Sequence, residues 1–381
     1  MTHSSTTKYS LAYVEEKDAL DKLLRHLDAV STVYLDLEAD SMHHFYAKIC
    51  LIQILVEDCC YLVDPLSKIP LDNLLKKLAG KIMVLHGADY DLRMLYQQYR
   101  FRPLRVFDTM LSAQLLGKPG FGLAALVKAY FDVSLRKDQQ KADWSQRPLP
   151  PLMLEYGAQD TYFLPGLHSA LTEEMAAKNR VEWHAECCRE LILATARSKE
   201  VDLENAWRID GSARLAPRQL SVLKALWKFR DQEARARDLP SYKILPSDLL
   251  LRFSLSVPME GAPEKIPTLP SRLSPVFKTG FLDHFHEALE LPPATWPQPW
   301  KPLRKTTPSP NAALMAQLKN VRDKIAAELE LDPSLLATKS TLTSVALSDW
   351  SSREKVREAA NWMKWQEDLL LEPWMEGLRR P

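Results

Sequence analysis

The chain has almost no net charge. Its 50 lysines and arginines are balanced by 49 aspartates and glutamates, a formal +1 over 381 residues. No overall field therefore marks it for nucleic acid or for a membrane surface. It lacks an apolar run of membrane-spanning length, which takes about 20 residues. Met1-Thr2-His3-Ser4-Ser5-Thr6-Thr7 lacks the basic-then-apolar pattern of a signal peptide. Cysteine is scarce and odd in number: five residues, including the doublets Cys59-Cys60 and Cys187-Cys188, with no C-x-x-C spacing. That argues against a zinc framework and for buried thiols in a reducing cytosol. Core material is plentiful. With 46% hydrophobic residues, the chain can build two or three domains.

Against this background four carboxylates stand out. Asp36 and Glu38 lie in the strand-like run Val33-Tyr34-Leu35-Asp36-Leu37-Glu38. Alternation along a strand puts both on one face. The following run, Ile49 to Val56, is nearly all apolar and reads as a central strand covered on both sides. Taken alone, the pair also fits the solvated end of an edge strand. Next, Ile82-Met83-Val84-Leu85-His86 reads as a buried strand, Gly87 breaks it, and a helix follows. Asp91 lies one turn before Leu95, beside the apolar stripe of Leu92, Leu95 and Tyr99. Asp89 lies one turn before Arg93 and is expected to cap the helix or pair outward. Both aspartates would also be favourable charges at a helix N-terminus. Finally, Tyr156 and Asp160 are four apart on a helix and share a face. A core tyrosine with a partly exposed aspartate would look the same. Carboxylates are costly to bury unless paired or holding a metal. Four aimed at one place point to divalent cations, and with two metals the natural chemistry is in-line attack on a phosphodiester.

In order and context these segments resemble the ribonuclease D family, exonucleases with four acidic residues and a tyrosine. Asp36-Leu37-Glu38 matches the first motif, His86 through Asp91 the second, and Tyr156 with Asp160 the third. Val106-Phe107-Asp108-Thr109, Leu115-Leu116-Gly117 and Asp143 to Leu149 look like the family's connecting segments. The first motif departs from the common pattern. Many members carry threonine between the two acids and an aromatic after them; this chain has Leu37, then Ala39-Asp40. The resemblance implies an α/β, ribonuclease H-like exonuclease domain, a mixed sheet flanked by helices, followed by one or two small all-α domains. It implies that Asp36, Glu38, Asp91 and Asp160 hold two Mg²⁺ or Mn²⁺ ions and that Tyr156 orients the attacking water. The expected activity is removal of nucleotides from RNA 3′ ends, with tRNA precursors or other stable RNAs as substrates, in the cytoplasm. A DNA 3′–5′ exonuclease of the same chemistry and a non-catalytic nucleic-acid scaffold are the alternatives.

The elements follow from periodicity. Strands are expected at Thr32–Glu38, Lys48–Val56, Tyr61–Asp64, Lys81–His86 and Arg105–Phe107. Helices are expected at Leu71–Ala79, Tyr90–Tyr99, Thr109–Leu116, Leu123–Tyr130 and Pro151–Ala176, with more helix to about 195. The exonuclease domain is thus placed at 1–195. Residues 196–290 are expected to be helical and look like the helicase-and-ribonuclease-D C-terminal (HRDC) domain, a nucleic-acid-binding module. Between Trp207 and Ser256 ten basic residues face five acidic ones, a local +5 that suits a phosphate backbone or, more simply, a solvated helical surface. Residues 291–310 hold seven prolines and read as a linker. Residues 311–381 read as a second, divergent HRDC-like domain, in which Trp350, Trp362, Trp365 and Trp374 serve packing.

Overall fold

The computed structural model describes residues 10–136, 138–196, 202, 204–299, 310–349 and 352–379. Six strands form one sheet: β1 (Ser10–Val14), β2 (Thr32–Ala39), β3 (Ile49–Val56), β4 (Cys59–Val63), β5 (Ile82–Leu85) and β6 (Arg105–Asp108), in the order β1-β4-β3-β2-β5-β6. The pairs β2–β3 and β3–β4 are antiparallel, and β1–β4, β2–β5 and β5–β6 are parallel. This is the expected mixed sheet. All eight residues of β3 are buried, as a central strand covered on both faces requires.

Eight helices flank the sheet: α1 (Lys17–Asp28), α2 (Asp72–Ala79), α3 (Asp89–Tyr99), α4 (Thr109–Leu115), α5 (Leu123–Phe131), α6 (Pro151–Tyr162), α7 (Leu164–Ala177) and α8 (Val181–Ala196). Leu20, Leu23 and Leu27 of α1, Leu74 and Leu78 of α2, Leu92 and Leu95 of α3 and Ile192 of α8 close one core with Leu35, Ile52 and Ile54. Met153 and Ala158 of α6 close another with Leu51, Leu55 and Trp144. Two expectations need correction. Strand β1 and helix α1 were not anticipated. The single helix expected over Pro151–Ala176 is two, because Pro165 has no N–H to continue the ladder and its ring crowds the preceding turn.

The chain divides into two compact units, one of residues 1–39, 48–198 and 307–381 and one of 40–47 with 199–306. In the second unit α9 (Pro217–Ala236), α10 (Ser241–Ile244), α11 (Ser247–Leu255) and α12 (Pro275–Leu289) enclose Leu223, Phe253, Phe281 and Phe285. Two of the ten basic residues there are structural. Arg218 donates to the carbonyls of Pro258 and Gly261, and Arg230 to that of Leu245. Arg235, Arg237 and Arg252 pair with acids one turn earlier. The charge open to a phosphate backbone is therefore smaller than the count suggests.

The last helices are α13 (Ala312–Glu328), α14 (Pro333–Leu336), α15 (Lys339–Leu347), α16 (Arg353–Ala360) and α17 (Lys364–Arg379). They pack on the exonuclease part. Trp365 stacks on Trp183 of α8 at 4.9 Å between centroids, and the Glu186 carboxylate accepts the N–H groups of Lys364 and Trp365. Arg180 donates to the carbonyls of Leu115 and Leu329. The module's layout repeats that of α9–α11. Helices starting at 241 and 247 reappear at 333 and 339, a shift of 92 residues, and so does the buried arginine, 230 and 322, each bonded to a carbonyl 15 residues later. Of the proline-rich segment 291–310, residues 300–309 lie outside the described residues, as do Trp350 and the residues 197–201 beside the expected boundary at 195. None of the five cysteines is in a disulfide, and Cys50, Cys60 and Cys188 are buried. Among the described residues no helix is long and apolar enough to cross a membrane.

Candidate active site

Strand β2 sets the first pair. Leu35 and Leu37 point into the core, and the intervening Asp36 and Glu38 point to the opposite face, where α6 lies over β2 and β3. A register irregularity follows directly after Glu38. Helix α6 lies close to the sheet because residue 157 is glycine: a Cβ there would come within 3.1 Å of Leu51 and 3.2 Å of the Gln53 amide nitrogen. That approach brings Asp160 to the first pair. Carboxylate oxygens of Asp36, Glu38 and Asp160 lie within 4.8 Å of one another. They line a cleft of about 520 Å³ together with His86, Leu123 and Tyr156.

Asp91, in the first turn of α3, is 6% exposed. Burial, then the charges of Asp36 and Asp108, push its carboxyl well above the usual range. It senses Asp36 but is not among the three carboxylates grouped within 4.8 Å. Asp89 faces outward, bonded to Arg93 at 2.8 Å through both oxygens. Burial raises Asp36 to about 6 against the Leu37 N–H, and burial with repulsion from neighbouring carboxylates raises Asp160 to about 8 and Glu38 to about 10. For Glu38 burial comes first, then Asp36, Asp160 and Asp91. Burial, then the nearby carboxylates, raises the Tyr156 phenol, which stays protonated at neutral pH. Arg136, which also lines the cleft, is paired with Asp138 at 2.6 Å.

The donor set fits a hard divalent cation. Clustered carboxylate oxygens are the ligands Mg²⁺ and Mn²⁺ prefer, and repulsion within the cluster is what a cation relieves. A second observation agrees. Gln53, opposite Asp36 across the β2–β3 pair, is fully buried, and neither end of its amide has a protein partner. A buried amide needs a hydrogen bond, which water bound at such a centre would supply.

Residues outside the motifs hold them in place. Asp108 is 1% exposed and accepts N–H bonds from Gly87 and Ala88 at 2.9 Å and from Met110 at 2.8 Å. It thus fixes the turn into α3, where Gly87 has φ +69°, and caps α4. Arg147 grips Asp64 through two nitrogens at 2.6 and 2.7 Å and donates to the Cys50 and Trp144 carbonyls. It anchors the segment that leads into α6. Both residues stand in segments noted in the sequence, but the partners that tie them to the rest of the site, Gly87, Ala88, Asp64 and Cys50, lie 20 to 97 residues away, and no local pattern reveals them.

Residues 11–176 match the family model described as 3′–5′ exonuclease, and residues 219–261 match that of the HRDC domain. Ribonuclease D of Pseudomonas paraeruginosa is 28% identical over 353 residues, covering 90% of this chain and 91% of that protein. The chain thus carries a 3′–5′ exonuclease domain and an HRDC domain, and it is similar to ribonuclease D over most of its length. Exosome complex component 10 homologs of Drosophila melanogaster and Caenorhabditis elegans are 27% and 29% identical over 66% of the chain, which spans 29% of the length of each. The fold has solved counterparts. A structure of Escherichia coli RNase D, described as an exoribonuclease involved in structured RNA processing, has a TM-score of 0.69 at 24% identity, covering 97% of this chain and 98% of that one. A protein from Bifidobacterium adolescentis has a TM-score of 0.80 at 19% identity, covering 97% and 99%.

Proposed function

We propose that this protein is a 3′–5′ exoribonuclease that trims RNA 3′ ends in the cytoplasm, with tRNA precursors among its substrates. The observation that carries the reading is the convergence of Asp36, Glu38 and Asp160 within 4.8 Å inside an exonuclease-family domain. Asp36, Glu38, Asp91 and Asp160 would hold two Mg²⁺ or Mn²⁺ ions, which supply Lewis acidity for phosphodiester hydrolysis. The chain's own contribution is placement. The cleft excludes bulk water from one side of the scissile phosphate, and the Tyr156 hydroxyl, held protonated, orients the attacking water as a hydrogen-bond donor rather than removing its proton. The HRDC domain at 219–261 grips the RNA. Helices α13–α17 form a second, divergent copy of that module; the 92-residue shift of helices and buried arginine supports this.

The test is digestion of an RNA labelled at its 5′ end, beside a DNA of matched sequence, with Mn²⁺ and with chelator. A ladder of labelled products shortening from the 3′ end, formed from RNA and lost with chelator, is expected. Internal cleavage, metal-independent shortening or preferential hydrolysis of DNA would refute the reading.

A further inference from the structure

His86 lines the cleft, and the mechanism leaves its chemistry unused. It stands immediately after β5, which runs parallel to β2 with Tyr34 opposite Val84. Two residues beyond that pair lie Asp36 and His86, so the histidine follows the strand next to the one that carries the first carboxylate. Both line the same cleft.

Its hydrogen bonding sets what it can recognise. The Nδ1 atom lies 2.9 Å from Thr109 Oγ1. That hydroxyl has one proton, and it donates it to the buried Leu85 carbonyl at 3.1 Å. Thr109 Oγ1 is therefore the acceptor from the ring, so Nδ1 carries the proton and the neutral ring offers Nε2 as a bare lone pair. Burial lowers the imidazole pKa and favours that neutral form, a tendency the Asp108 charge partly opposes. With Nδ1 tied to Thr109, the Nε2 edge is the one left to face the cleft.

A lone pair there selects among the groups of a nucleic acid. Phosphate oxygens only accept hydrogen bonds. The donors on the sugar are its hydroxyls, and the one that separates ribose from deoxyribose is the 2′-hydroxyl. We propose that His86 Nε2 accepts a hydrogen bond from the 2′-hydroxyl of the 3′-terminal nucleotide and so biases the site towards RNA. The inference rests on the nuclease reading for the place of the RNA end, and on Thr109 for the direction of the bond. Thr109 is then a positioning residue, because rotating its hydroxyl away would release the tautomer.

The test pairs an altered protein with altered substrates. Wild type and His86→Asn are compared on all-RNA oligonucleotides, on the same RNA with one 2′-deoxy residue at the 3′ end, and on one with a 3′-deoxy end. Asparagine keeps an amide N–H for Thr109 but has nothing at the place of Nε2; His86→Ala serves as the second variant. kcat/KM is measured with Mn²⁺, and affinity for the same oligonucleotides with chelator present. Wild type should prefer the ribose end over the 2′-deoxy end by about 3–10-fold, the fold equivalent of one hydrogen bond. In His86→Asn the preference should fall to within about twofold of unity, because neither change matters once the other is made. An unchanged preference in the variant, no preference in wild type, or a coupling to the 3′-deoxy end instead would overturn the proposal. If wild type shortens no RNA at all, the nuclease reading falls, and the affinity ratios still decide this one.

Discussion

Replacing Asp160 with asparagine should make the metal-free protein more stable while abolishing hydrolysis. Asp160 shares a space within 4.8 Å with Asp36 and Glu38. Two carboxylates at that separation repel by about 3 kcal/mol at an effective dielectric of 20. Proton uptake relieves part of this, and about 1–3 kcal/mol remains to be gained by removing one charge. For a domain of this size that is roughly 2–10 °C in Tm. The sign follows from the direction of the shifts. Asp160 is raised to about 8, so its contribution to stability is complete below the unfolded value near about 4 and is lost as pH climbs through 8. With chelator, the variant's advantage should be larger at pH 8 and nearly vanish at about pH 3, where folded and unfolded wild type both carry the proton. A bound cation reverses the order. At a hundredfold excess over Kd, binding should stabilise wild type by about 2.7 kcal/mol, and the variant should gain much less. The assay is thermal unfolding at both pH values with chelator and with Mn²⁺. A variant less stable than wild type at pH 8 in chelator, or one with an equal gain from Mn²⁺, would refute the argument.

Asp91→Ala should eliminate turnover, whereas Asp89→Ala, which loses only an outward pair to Arg93, should cost at most about 0.5 kcal/mol by chemical denaturation and leave kinetics intact; a reversed pattern would unseat Asp91. Tyr156→Phe should lower the single-turnover rate by roughly 10²–10⁴-fold with little change in RNA affinity, and a loss below about threefold would return the residue to the core. Burial alone would raise Asp64, but Arg147, the Tyr13 hydroxyl and the Leu66 N–H together hold it below its usual value. Asp64→Asn should therefore cost about 1–3 kcal/mol at neutral pH, a deficit that closes as pH drops below about 4, because wild type then loses the same charge; a deficit independent of pH would show that the ion pair is idle.

What could be read from the sequence was whatever repeats locally. The alternation at Asp36 and Glu38, the unbroken apolar run of β3 and the inward turn of Asp91 each lie within one element, and the structure has all three. Strand β1 was missed because it is a short edge strand, half exposed, whose parallel partner β4 lies some 49 residues away. Helix α1 is legible in Leu20, Leu23 and Leu27, at helical spacing, and the break between α6 and α7 in Pro165. Asp108 is a different case. Nothing near it in the chain shows that it closes a turn 20 residues earlier. The basic count between Trp207 and Ser256 misled for a related reason: arginine charge looks alike in sequence whether it meets solvent or, as with Arg230, a buried carbonyl.

The packing of α17 on α8 also bears on how the protein emerges from the ribosome. Trp183 and Trp365 are 182 residues apart in the chain, yet they stack face to face. At translation rates of about 5–20 residues per second, Trp183 waits roughly 10–40 s for its partner. For that time the surface of α8 that receives α13–α17, with Trp183, Cys187 and the Glu186 carboxylate, stays uncovered. The nascent exonuclease domain is thus a sticky intermediate, and the final helix is the element that ends its exposure.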